Sequence, residues 1–149
     1  MNSDAVLTRV VVDTNLFVSG TISVRSALYQ CLDWIATNPS ALLTSPYQQA
    51  EILSVLSRPA IARRFNVTDP ARLLVSELLA TAEVIDVTGF KLGIEVRDPD
   101  DEPIPASALI GNAGFLVTGD HDLLSLAGDP RLGRLRIVTA REFLDALPA

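Results

Sequence analysis

Short apolar runs recur along the chain, separated by longer stretches whose apolar positions fall every three to four residues. The runs are Val10-Val11-Val12, Ala41 to Thr44, Val84 to Val87, Phe115 to Thr118 and Leu135 to Val138. Most are continuous rather than alternating, which suits strands covered on both faces. The stretches between them predict helices over 26–36, 46–56, 71–82, 102–111, 121–126 and 140–147. For the helix over 71–82, Thr68 or Asp69 offers a cap and Pro70 a first turn. Leu74, Leu78 and Ala82 recur in it every fourth residue, the spacing of a buried stripe. This order of elements predicts one domain over 1–149. Its expected architecture is a three-layer α/β/α sandwich around a mostly parallel sheet of roughly five strands. In such sheets ligands settle beyond the carboxyl ends of the strands, where the strand order reverses.

Composition refines this picture in three places. The chain has 149 residues, 48% of them hydrophobic and only 5% aromatic, so the core must be aliphatic. High hydrophobicity excludes intrinsic disorder. The single cysteine, Cys31, excludes an internal disulfide and a thiolate zinc site. Beside Leu28, Leu32 and Ile35 it reads as a buried, inert thiol. Met1 to Arg9 holds no apolar core of signal-peptide type, and no run approaches the ~18 apolar residues of a membrane span. The expectation is a cytoplasmic protein with no membrane contact.

The formal net charge of -6 argues against a nucleic-acid partner, which usually meets a basic footprint. The acids, however, are clustered. Four of the five residues from Asp98 to Glu102 are acidic, and Asp120 and Asp122 form a second group. Asp13 ends the first apolar run and Asp120 follows the fourth. If those two strands are neighbours, both carboxylates enter one crevice, and Asp101 joins them as the cap of the next helix. Two like charges ~4 Å apart repel by about 4 kcal/mol at an effective dielectric of about 20. Protonation or a cation must resolve that conflict. An all-oxygen donor set suits Mg²⁺ or Mn²⁺, which can activate a water and clamp phosphate oxygens.

Each acidic group also has an ordinary structural use. Asp98 to Glu102 is good turn and cap chemistry, and Asp120 or Asp122 can cap a helix at His121. What sets them apart is their joint position at strand ends along one sheet edge. Glu51 sits at the border of the apolar face of its helix, flanked by Ile52 and Leu53. His121, the one histidine, reads as a surface residue.

The ordered set of segments resembles the PIN domain family of nucleases, which includes the VapC-type toxins of bacterial toxin–antitoxin pairs. The segments are Val11-Val12-Asp13-Thr14-Asn15, Ser45-Pro46 through Glu51-Ile52-Leu53 to Arg58-Pro59, Arg97 to Pro103, and Leu116 to Leu124. The resemblance covers nearly the whole chain and implies a Rossmann-like sandwich that hydrolyses RNA with Mg²⁺ or Mn²⁺, leaving a 5′-phosphate and a 3′-hydroxyl. Carried over by position, Asp13, Glu51, Asp101 and Asp120 form the acidic centre. Asp13 and Asp101 hold the first metal most directly, and Asp120 and Glu51 complete it or bind a second. Asp98, Asp122, Thr14, Asn15, Thr118 and Glu102 support them. Pro105 departs from the family's usual pattern and leaves open whether Asp101 or Glu102 faces the metal. A small antitoxin partner and a homodimer are implied by the resemblance alone.

RNA needs a positive rim. Arg58, Arg63 and Arg64 offer one, and Arg131, Arg134 and Arg136 another. Two other function classes compete. A phosphohydrolase using Asp13 as nucleophile wants an acid at position 15, where Asn15 stands, and a phosphate receiver wants a later lysine than Lys91. A non-catalytic RNA- or protein-binding module of the same fold need not keep the acids.

Overall fold

A computed structural model describes residues 8–19, 26–65, 69–96 and 98–147. Five parallel strands form one sheet: β1 (Val10–Val12), β2 (Leu42–Thr44), β3 (Glu83–Val84), β4 (Phe115–Val117) and β5 (Arg136–Val138). Their order is β3-β2-β1-β4-β5, so the chain steps outward from β1 on one side and resumes on the other. The direction of winding reverses between β1 and β4. Val11 lies opposite Leu43 on one side and Leu116 on the other.

The pleat divides these strands between two cores. Val10, Val12, Leu42, Val117 and Val138 face one way, and Val11, Leu43, Leu116 and Ile137 face the other. The first face is covered by α1 (Thr14–Ser19), α2 (Ala27–Thr37), α3 (Pro46–Leu56), α5 (Asp69–Thr81) and α8 (Ala140–Ala146). Between α3 and α5 lies α4 (Pro59–Phe65). The second face is covered by α6 (Pro103–Ile110) and by Ile85, Leu92 and Ile94 of the segment after β3. A one-turn helix, α7 (His121–Leu124), follows β4. The three-layer α/β/α sandwich expected from the apolar runs is therefore present. Both cores are aliphatic apart from Phe17, Phe143 and flanking rings, as the low aromatic content requires.

Local chemistry explains the helix ends. Ser26 and Ser45 accept from the backbone N–H groups of Tyr29 and Gln48, and Pro46 fills the first turn of α3. Thr139 and Glu142 close a reciprocal capping box on α8. Cys31 is buried in the first core, and burial pushes its thiol up to about 12. Its burial is as expected. Among the described residues no helix is long and apolar enough to cross a membrane.

Several expectations shift. The sequence pattern misses α1 and α4. Strand β3 is two residues long rather than four, because Val84 is exposed and Ile85 already turns into the second core. The buried stripe of α5 is Val75, Leu78 and Leu79, while Leu74 is 37% exposed. A strict four-residue step drifts round a helix of 3.6 residues per turn, so Leu74 rotates off the face that Leu78 occupies. Asp69 is the first residue of α5 rather than its cap, and Thr68 lies outside the described residues. Asp101 does not cap α6. It lies in a short 3-10 turn over Pro99–Asp101, and Glu102 takes the cap position without a side-chain bond there.

Candidate active site

The carboxyl ends of β1 and β4 meet at the point where winding reverses. Asp13 leaves β1 there. Its N–H donates to the carbonyl of Val117 at 2.9 Å, extending the ladder one step beyond the strand. Its carboxylate Oδ2 accepts from the Thr118 hydroxyl at 2.8 Å. The same Thr118 oxygen accepts from the Asp120 N–H at 3.0 Å, and Asp120 Oδ1 accepts from the Asp122 N–H at 2.8 Å to cap α7. One buried threonine thus fixes the first acid and the loop that carries the second. Asp13 and Thr118 are 6% and 1% exposed.

Helix α3 brings Glu51 to the same edge. Its start is fixed by Gln48, a fully buried amide whose Nε2 donates to the carbonyl of Val12, at the end of β1. Glu51 lies one turn beyond that anchor. Asp101 comes from the third side, in the 3-10 turn capped by Asp98, whose Oδ1 accepts from the Asp100 N–H at 3.0 Å. Glu102 turns away, because its Oε1 accepts from the Leu92 N–H at 3.1 Å. Asp101 is in electrostatic contact with the other acids.

That contact shifts their protonation. Burial raises the Asp13 carboxyl above its ordinary range. The Thr118 bond opposes that rise and the charge of Asp120 adds to it. Glu51 is raised by burial, then by Asp13 and Asp100, with Arg58 opposing. Asp101 is pushed up to about 6 by burial and by the charges of Asp98, Asp13, Asp120 and Glu51. Four predicted acids therefore share one electrostatic neighbourhood, and Asp98 lies within it. Asp122 contributes its backbone to the Asp120 cap. Asn15 is exposed on the first turn of α1, and Thr14 is buried with its hydroxyl lacking a hydrogen-bond partner.

The acids are in electrostatic reach of each other without enclosing a coordination sphere. Among the described residues no three acidic, imidazole or thiol side chains stand close enough to share one ion. The donor set still fits Mg²⁺ or Mn²⁺ in kind. Every donor is oxygen, Asp13 and Thr14 are neighbours in sequence and both buried, the Thr14 hydroxyl lacks a partner, and the mutual repulsion calls for a cation. Mg²⁺ needs only one or two direct carboxylates, because it keeps waters and takes phosphate oxygens for the rest.

Three residues here escape the sequence pattern: Gln48, Asp100 and Tyr47. Ser45-Pro46-Tyr47-Gln48 carries the Ser-x-x-Gln spacing of a capping box, which was the available signal for Gln48. The amide spends itself on β1 instead. Asp100 acts on Glu51, and Tyr47 lies beside Asp100, Glu51 and Asp101.

The two arginine groups separate. Arg58 acts on Glu51 and lies near the crevice, with Arg63 and Arg64 exposed in the last turn of α4. Arg131, Arg134 and Arg136 stand at the amino-terminal edge of the sheet, a strand length of roughly 10 Å from the acids. A cleft of about 610 Å³ opens at that edge, lined by Arg9, Asn112, Arg131 and Arg134 among others, and contains none of the site acids.

The PIN domain family profile matches residues 9–122, from the residue before β1 to the second residue of α7. The chain belongs to the PIN domain family. The matched span includes every acid of the PIN crevice described above. The PIN fold is also shared with a chain in the crystal structure of VapBC2 from Rickettsia felis bound to a DNA fragment from their promoter. The TM-score is 0.56 at 20% identity, covering 87% of this chain and 97% of that one. At that identity the likeness concerns the fold. None of the curated proteins matches this PIN domain.

Proposed function

We propose that this PIN domain is a metal-dependent endoribonuclease that hydrolyses RNA phosphodiester bonds with Mg²⁺ or Mn²⁺, acting in the cytoplasm as the toxin of a toxin–antitoxin pair. The observation that carries this reading is Asp13. It is a buried carboxylate at the reversal point of the sheet, held by Thr118 and facing Asp120, Asp101 and Glu51, in a chain of a nuclease family.

The roles follow from burial and tethering. Asp13 would be the fixed ligand, since Thr118 tethers its carboxylate. Asp101, on a short turn at the rim, would be the second direct ligand, and Asp120 and Glu51 would complete the centre. Bound there, the cation supplies Lewis-acid activation of an attacking water and neutralises charge on the phosphate. Arg58, near Glu51, is placed to meet a phosphate that enters on the α3 side, with Arg63 and Arg64 further out. Thr14 and Asn15 would orient ligands or metal-bound water. A small antitoxin that covers the acidic crevice, and a homodimer, belong to the same reading. Their basis is the VapC-like motif order and the fold likeness to a VapBC2 chain.

The test is cleavage of a mixed pool of structured RNAs with Mn²⁺, with Mg²⁺ and with chelator, by the unmodified chain and by Asp13→Asn. Cutting is expected with metal, to be lost in chelator, and to fall about 100-fold or more in the variant, since a metal centre supplies several kcal/mol. Absence of cutting together with no calorimetric Mn²⁺ binding would overturn the reading in favour of a non-catalytic binding module.

A further inference from the structure

The acidic crevice creates a problem for its own substrate. RNA is a polyanion, the chain carries a net charge of -6, and Asp98, Asp100 and Asp101 line the approach to Asp13 on the α6 side. A cation relieves repulsion at the phosphate it touches but does little for the flanking nucleotides. Affinity beside the crevice must come from a contact indifferent to charge.

Tyr47 meets that description. It occupies the second position of α3, and all strands being parallel, the start of α3 lies at the same sheet edge as Asp13. Residues four apart share a helix face, so Tyr47 stands one turn outside Glu51. Gln48 and Ser45 on either side are buried and tethered, which fixes the helix start, while Tyr47 itself is 46% exposed. Neither apolar cluster of the described residues includes its ring. The charges of Asp100, Glu51, Asp101 and Asp98 all reach its phenol. A large aromatic side chain, rigidly mounted and omitted from the core, thus borders the acids.

We propose that the Tyr47 ring is the platform on which a nucleobase of the RNA stacks, next to the phosphate held in the crevice. This inference rests on the ribonuclease reading and names how that site grips its substrate. Stacking works through the π-face that every base presents, so Tyr47 contributes affinity and register with little base preference. It is a positioning residue, and its loss weakens binding of substrate and transition state alike.

The experiment compares wild type, Tyr47→Ala and Tyr47→Phe on a short RNA that the wild type cuts, with a thermal melt for each. A second measurement follows 2-aminopurine fluorescence in that RNA on the Asp13→Asn background. Tyr47→Ala should raise KM by about 5- to 100-fold with kcat nearly unchanged, and Tyr47→Phe should restore KM to within about twofold. Quenching of 2-aminopurine should persist with Phe and vanish with Ala. An unchanged KM in Tyr47→Ala overturns the inference while leaving the nuclease intact. Equal damage in Tyr47→Phe overturns stacking and assigns the effect to the hydroxyl. A wild type that neither cuts nor binds RNA removes the ribonuclease reading, and the inference falls with it.

Discussion

The two edges of the sheet handle charge in opposite ways. At the amino-terminal edge two arginines are paired with acids: Arg9 binds Glu83 and the carbonyl of Gly111, and Arg131 grips both oxygens of Asp129 as well as the carbonyl of Gly93. Asp129 is accordingly held down at about 2. At the carboxyl-terminal edge, acids face acids, and Asp13, Glu51 and Asp101 are all raised. Paired charges serve the fold. Like charges gathered in one crevice are a cost to the fold, and they are retained where chemistry needs them. On the proposed reading, the edge with the 610 Å³ cleft is the structural one, and the edge where acids face acids is the functional one.

The sharpest way to test this division is Thr118→Val. The substitution keeps shape but removes the hydroxyl that donates to Asp13 and accepts from Asp120. Removing that shared atom leaves a buried carboxylate and an N–H without their partner, at about 1–3 kcal/mol. Because both acids lose their orientation, cleavage should fall at least tenfold, and Thr118→Ser should recover most of it. Full activity in Thr118→Val, measured by the RNA assay, would mean that the acids need no internal positioning.

The opposite edge should respond in stability alone. Gly111 ends α6 where a Cβ would meet Leu43 Cδ1 at 2.7 Å, with the Ser107 carbonyl oxygen at 3.0 Å. The leucine tip can yield and the carbonyl cannot. Gly111→Ala should cost about 1–3 kcal/mol, read as a lowered Tm, with kcat preserved at temperatures where the variant is folded. Lost cleavage in a fully folded variant would break the division between edges.

Acidity sharpens the contrast further. Asp101, Glu51 and Asp13 have folded values above their ordinary ones, so between about pH 4 and 6 the folded chain binds more protons than the unfolded chain. Stability contributed by the acidic edge is present below that window and is lost as pH rises through it. Asp129 behaves oppositely: its contribution is present above its unfolded value of 3.8 and is lost as pH falls toward about 2. In chelator, Tm should therefore decline from pH 5 to pH 7, and Mn²⁺ at pH 7 should reverse the decline. A flat profile in chelator would show that the acids do not repel one another in solution.

What could be read from the sequence follows the same line. Val10-Val11-Val12 and Phe115-Leu116-Val117 are continuous, doubly covered strands, so their ends, and hence Asp13 and Asp120, could be located before any coordinates. Glu51 could be placed only at the border of a helix face, because that spacing alone leaves its direction undetermined. The side-chain partners were hidden for another reason. Gln48 bonds to Val12, 36 residues away, and Glu102 to Leu92, and no local pattern encodes those choices. Leu74 shows the same limit in the core, where a stripe read in steps of four slides off the buried face.

The smallest effect expected is also the cleanest test of the comparison. Arg131 is an attractive RNA contact in sequence, but its guanidinium already makes three bonds at the structural edge, two to Asp129 and one to Gly93. An exposed ion pair of this kind contributes little to stability. Arg131→Ala should leave KM for RNA within about twofold of wild type, because the residue lies a strand length from the crevice. Arg58→Ala, at the acidic edge, should raise KM more, since a lost phosphate contact weakens binding across sequences and flattens its salt dependence. If the two variants exchanged these behaviours, RNA would be running along the amino-terminal edge, and the assignment of one edge to chemistry and the other to the fold would have to be reversed for binding.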